Sequence, residues 1–192
     1  MKEICDLQAG RLLTIIVLLY FSLNAIIPMI FGESVLFRYA LPWIFVWPII
    51  IVARGKFCIT ASLIAQPPRS YWYALAIIAG IFTQPIYLST SIFDVALSKC
   101  LVAAMAAIVV AYSEEFTFRG LAYNTIKGRT ILKILFSAAI FSAAHWSSLS
   151  LSYLLVVFIA GILLGALRSS SRSILPGVLV HFLHNLGTYA VF

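Results

Sequence analysis

The chain has 192 residues, of which 63% are hydrophobic and 10% charged, with a mean hydropathy of +1.07 and a formal net charge of +7. A domain this small has too little interior to hide so much apolar surface, so the solvent for most of it is lipid rather than water. The basic residues punctuate hydrophobic runs and form no patch with interleaved aromatics, which argues against a nucleic-acid partner.

A helix that crosses the hydrocarbon layer needs about 20 mostly apolar residues. Runs of that kind fall at roughly 12–31, 35–53, 71–88, 96–126, 131–147, 151–167 and 174–191. They predict an all-α, polytopic transmembrane bundle of about seven spans, built as a single integral membrane domain, 1–192. Several runs are short and the fourth is long, so six or eight crossings also fit. The first run is too long for a signal peptide and lacks a small-residue cleavage site, so it reads as a retained span. With the N-terminus inside, the inner loops hold Lys2, Arg11, Arg54, Lys56, Arg69, Lys127, Arg129, Lys133, Arg168 and Arg172, against Arg38 and Lys99 outside. That asymmetry predicts an N-in, C-out chain.

Other features have structural explanations. Cys5, Cys58 and Cys100 show no paired spacing, so neither a disulfide framework nor a thiolate metal site is expected. Trp43, Trp47, Tyr71, Trp72, Tyr73 and Trp146 fall near span ends, where interfacial belts sit. Pro28, Pro42, Pro48 and Pro85 are candidate kinks. "GILLG", Gly161 to Gly165, is a GxxxG spacing that permits close helix packing. No internal repeat marks two related halves. The first ~90 residues carry no chemical motif and are expected to form a lid, a wall or a substrate entrance.

The chemistry is concentrated in the second half. "SEEFTFRG" places Glu114, Glu115 and Arg119 at the end of an uncharged run, where ionised groups are costly unless they face a protein interior or a wet cavity. Glu115 and Arg119 are four apart and can pair; Glu114, about 100° round an α-helix from Glu115, is left without that partner. The pair could be purely structural, with Glu114 a spare protonated carboxyl, or it could hold the helix while Glu114 serves as a general base. All three histidines also lie in apolar runs: His145 follows Phe141 by one turn, and His181 shares a helix face with Asn185. A lone histidine there is more often packed than catalytic, but three of them with two glutamates and an asparagine form a constellation. At 1.5 Å per residue, Glu114, His145 and His181 lie roughly 18, 21 and 11 Å from the inner ends of their helices, depths that overlap within helix tilt and boundary error.

These residues resemble a known family. "EEFTFR", "FSAAH" and "HFLHN" look like the EExxxR, FxxxH and HxxxN motifs of the CPBP intramembrane proteases, the group of type II CAAX prenyl endopeptidases and bacteriocin-processing and self-immunity proteins. The motifs occur in the family's order, and the resemblance covers about 96–191, which marks that stretch as the catalytic core. It implies that Glu114 and His145 activate a water, that His181 and Asn185 stabilise the oxyanion, and that Glu115 and Arg119 support them. His184 matches no motif position; it could help line the site, but a place in the core is the preferred expectation. The family has been described both as metalloproteases and as metal-independent glutamate proteases. The sequence leans to the second, with water as the nucleophile and no cofactor, since it has no HExxH and its candidate ligands lie on three separate helices. A zinc on Glu114, His145 and His181 stays chemically acceptable.

The expected function is therefore endopeptidase cleavage of a membrane-associated or lipidated peptide or protein, in a bacterial cytoplasmic membrane. Two alternatives come from other classes. A non-catalytic immunity or regulatory protein would keep the polar cluster for structure, and a small proton-coupled transporter would use it as an ion path.

Overall fold

The computed structural model describes residues 2–31, 40–54, 69–82, 97–145 and 150–191. Cys58, Arg38, Lys56, Pro85 and Trp146 lie outside them. Every element among the described residues is a helix: α1 (Lys2–Phe31), α2 (Leu41–Arg54), α3 (Ser70–Phe82), α4 (Leu97–Glu114), a π-helical segment (Glu115–Ala122), α5 (Tyr123–Thr125), α6 (Thr130–Ala143), α7 (Leu151–Ser171) and α8 (Leu175–Val191). The all-α reading of the sequence holds. Two stretches, Cys100–Thr125 and Leu151–Ser171, are long and apolar enough to cross a membrane by length and composition.

Hydropathy and helicity do not end at the same residues. α1 starts at Lys2, ten residues before the apolar run, because backbone hydrogen bonding continues through polar side chains that favour helices well enough. α6 ends at Ala143, short of the predicted 147, and His145 occupies the turn that follows, with its N–H bonded to the Ser142 carbonyl at 3.0 Å. Pro48 lies inside α2, while Pro42 sits in its first turn, where the missing N–H costs no helical bond.

α4, the π segment and α5 form one central rod. Along α4 the small residues Ala103, Ala106, Ala107, Val110 and Ala111 are buried at helical spacing, and Glu114 extends their stripe. From Ser113 to Tyr123 every residue is buried, so no side of the π segment faces outward. α8 packs along α4 and α3; α6 and α7 form an antiparallel hairpin whose α6 also packs on the π segment. α1 and α2 close the remaining side. Trp43 of α2 is fully buried and stacks on Tyr20 of α1 at 4.4 Å between ring centroids. Trp47 donates its indole N–H to Ser113 Oγ at 2.8 Å and stacks on Tyr112. Trp43 is a core residue and not part of the interfacial belt expected of it, while Trp47 packs half-buried against the core. The aromatic mass of α2 fills the groove between α1 and the rod, which hydropathy along a single helix does not reveal. Tyr71, on α3, is exposed as a belt residue would be.

The outward faces are apolar. On α7, Leu151, Leu155, Ile159 and Leu163 form an exposed stripe at i, i+4 spacing, a contiguous hydrophobic face of the kind that lipid covers. The opposite face of α7 holds the two glycines. A Cβ on Gly161 would meet Ala138 Cα and Cβ at 3.0 Å, and one on Gly165 would meet Ile134 at 3.1 Å. The GxxxG spacing thus serves the α6–α7 contact within the chain. Replacing Gly161 by leucine is expected to force the two backbones apart and to lower stability by about 1–3 kcal/mol. Thermal unfolding in neutral detergent would show this as a fall of several degrees.

Candidate active site

The π segment sets the site. A helix closed by i→i+5 bonds is wider than an α-helix and recurs at functional sites. Four successive carbonyls near its end each receive a side-chain donor: Phe118 O from Ser137 Oγ (2.9 Å), Arg119 O from Arg168 Nε (3.4 Å), Gly120 O from Asn124 Nδ2, and Leu121 O from Thr125 Oγ1 (2.8 Å). These donors come from α5, α6 and α7, so the neighbouring helices hold the departure from α-geometry in place.

Glu115 and Arg119 pair inside this segment. Arg119 Nη1 lies 3.0 Å from Glu115 Oε1, and both side chains are 0% exposed. Arg119 Nη2 also donates to the Gly161 carbonyl at 3.4 Å, and its guanidinium carbon stands 4.1 Å from the centroid of the Phe141 ring. A buried cation is tolerated only with such a full set of counter-charge, carbonyl and π-face. Glu115 Oε1 is shared: His181 Nδ1 approaches it at 3.3 Å. An Nδ1–H donated to that carboxylate fixes the His181 tautomer and turns Nε2 the other way.

Glu114 lies where that second nitrogen points. Its Oε2 is 3.6 Å from His181 Nε2 and 4.0 Å from His145 Nε2. His145 donates Nδ1–H to the Phe141 carbonyl at 2.8 Å, which leaves its Nε2 lone pair facing Glu114. The ring of Phe141 sits between these groups, 4.8 Å from the His145 ring and 5.9 Å from the His181 ring, edge-on to each. Glu114 and His181 are buried, whereas the His145 side chain is 24% exposed and gives the site its access. One water can span a gap of about 4 Å between two acceptors that each lie roughly 2.8 Å from it.

Asn185 follows His181 by one turn of α8 and is 7% exposed. Its Nδ2 has no hydrogen-bond partner among the described residues, nor has Glu114 Oε2. A buried donor and a buried acceptor without protein partners in one site are groups kept for water or a ligand. The structure therefore brings Glu114, His145 and His181 together from α4, the turn after α6, and α8, with Asn185 beside them and Glu115 and Arg119 behind. His184, expected in the core, is exposed on the outer face of α8. A 100° step per residue puts His184 off the face shared by His181 and Asn185.

Among the described residues no group of three His, Cys, Asp or Glu is arranged to hold a metal ion. Both Nε2 atoms converge on one carboxylate oxygen.

Three contributors escaped the sequence reading. The Phe141 ring serves Arg119 and both histidines, although its motif position was read only as a spacing landmark. Gly177 leaves room for the Glu115 carboxylate, since a Cβ there would come within 2.7 Å of Oε2. The glycine one residue after Pro176 at the start of α8 was a visible signal for that close approach. Trp47 reaches Ser113, next to Glu114, from a segment with no motif. Arg119→Met, which strands Glu115 beside His181, is expected to cost about 3–5 kcal/mol. The double variant Glu115→Gln/Arg119→Met should cost less than the sum of the two single changes. Thermal unfolding of the four proteins measures both.

Residues 96–187 match the family model described as type II CAAX prenyl endopeptidase Rce1-like. Neither a curated protein nor a solved structure matches the chain. The matched stretch contains Glu114, Glu115, Arg119, His145, His181 and Asn185, so the half of the chain that carries the site is similar to the Rce1-like type II CAAX prenyl endopeptidases, a family of membrane-embedded proteases.

Proposed function

We propose that this protein is an intramembrane endopeptidase that hydrolyses a peptide bond by attack of a water activated by Glu114 and His145. The observation that carries the reading is the convergence of two histidine Nε2 atoms on Glu114 Oε2, at 3.6 and 4.0 Å, in a buried site reached past His145.

In this mechanism a water sits between Glu114 Oε2 and His145 Nε2. As its oxygen attacks the scissile carbonyl carbon, its proton passes to the Glu114–His145 pair. The carbonyl oxygen becomes an oxyanion and is met by Asn185 Nδ2–H and by His181. Collapse of the tetrahedral intermediate breaks the C–N bond, and the proton held by the pair goes to the leaving amine. Glu115 and Arg119 position His181 and do not touch the substrate. No resident metal is required.

The chain would cross the membrane about seven times with its N-terminus inside, as the asymmetry of Lys and Arg supports. Its substrate would be a membrane-embedded, membrane-associated or lipidated peptide or protein, and the bacterial cytoplasmic membrane its location. The C-terminal helices carry all the chemistry, while α1 and α2 would act as the wall behind the rod.

The test is cleavage of a co-expressed panel of membrane-bound peptides at matched expression. Glu114→Gln is expected to lose about 10²–10⁴-fold in rate as a missing general base. Asn185→Ala should lose about 10²–10³-fold as a missing oxyanion donor. Chelator should leave the wild type active. Processing by Glu114→Gln at the wild-type rate would remove Glu114 from the chemistry, and loss of activity with chelator would require a metal.

A further inference from the structure

Tyr123 stands where the central rod ends, with its ring largely buried. Two cations reach that ring from different helices. Lys133 Nζ of α6 is 5.6 Å from the ring centroid, and the guanidinium carbon of Arg168 of α7 is 5.7 Å from it. Both residues are half-buried, and among the described residues neither meets a carboxylate. Arg168 spends its Nε–H on the carbonyl of Arg119.

More positive charge surrounds them. Lys127 and Arg129 are exposed in the loop after α5, and Arg172 is exposed at the end of α7, held in the left-handed region with φ 57°. Arg11 lies on α1 beside Gly10, where a Cβ would meet Thr125 of α5 at 3.4 Å, so the start of α1 is at this same end. The chain has only six carboxylates. Glu114 and Glu115 are buried in the site, and among the described residues none of Arg11, Arg129, Lys133, Arg168 and Arg172 is ion-paired with a carboxylate. Helix ends of this kind hold positive charge in excess of what the protein neutralises, and a phosphate-bearing headgroup supplies the missing anion.

The surroundings favour a lipid over a free anion. Ile131, Leu132, Leu135 and Phe136 flank Lys133 on α6 and are all exposed, and the bare apolar stripe of α7 continues beside them. A ligand that places a phosphate between Lys133 and Arg168 can lay acyl chains on that surface without leaving the site. We propose that Lys133, Arg168 and the Tyr123 ring form a binding site for the phosphate headgroup of an anionic phospholipid. Because Arg168 also holds the Arg119 carbonyl, the bound headgroup steadies the end of the π segment that carries the candidate active site. The inference rests on membrane embedding and is independent of whether the site cleaves peptides.

The experiment is thermal unfolding of the full chain in neutral detergent with added phosphatidylglycerol, phosphatidylcholine or inorganic phosphate. The wild type, Lys133→Gln, Lys133→Arg and Arg11→Gln are compared. Phosphatidylglycerol is expected to raise the wild-type midpoint by about 3 °C more than phosphatidylcholine does. Lys133→Gln should lose at least half of that rise, while Lys133→Arg and Arg11→Gln keep it. The site is overturned if phosphatidylglycerol gives no extra rise, or if Lys133→Gln keeps it. It is equally overturned if Arg11→Gln loses as much as Lys133→Gln, which would mean diffuse surface charge. Inorganic phosphate matching phosphatidylglycerol would overturn a lipid as the occupant. Since nothing here reads cleavage, failure of this proposal and failure of the proteolytic one are distinguishable.

Discussion

An ion pair with no exposure to solvent sits at the centre of this fold, and the helices around it are arranged to make it tolerable. Arg119 would be costly in an apolar interior, so Glu115, the Gly161 carbonyl and the Phe141 ring converge on it from the rod, α7 and α6. Each contact fixes an element that also carries part of the site. Gly161 is the point of closest approach between α7 and α6, and Phe141 is the residue whose carbonyl orients His145. Removing the charge would free the helices from the geometry that aligns the histidines.

The same pair separates the roles of two adjacent carboxylates. Glu115 has Arg119 and His181 both at its Oε1, so that carboxylate oxygen is held between a guanidinium and an imidazole and stays put. Glu114, one residue earlier, has only imidazole nitrogens near its outer oxygen and no cation of its own. Neighbours in sequence thus acquire different chemistry from their surroundings, which is the usual way one site obtains both a fixed group and a reactive one. The π segment assists by presenting eight consecutive residues to the interior, which one face of an α-helix does not do.

The N-terminal helices take part in this arrangement without carrying chemistry. Trp47 hydrogen-bonds to Ser113 and lies 5.6 Å from Phe116 between ring centroids, so α2 braces the rod on both sides of Glu114. Trp43 and Tyr20 fill the gap behind it. Those aromatic groups look like interfacial anchors in the sequence because their neighbours are uniformly apolar. A uniformly apolar helix gives no sign of which face meets protein and which meets lipid.

That ambiguity marks the boundary between what could be read and what had to be seen. The sequence by itself determined the all-helical class of structure, because long apolar runs satisfy their own backbone groups as helices. It also singled out the candidate site residues, because ionisable groups placed inside such runs need a reason to be there. Spacing was enough to pair Glu115 with Arg119 and to put His181 and Asn185 on one face, since those relations are local to a helix. Only the tertiary structure decided which groups meet across helices: that His145 leaves α6 to face Glu114, that Phe141 lies between Arg119 and both histidines, and that Gly177 makes room for Glu115. Contacts between helices depend on their rotation and depth, and in a chain apolar on every side those are set by packing, which no single helix encodes.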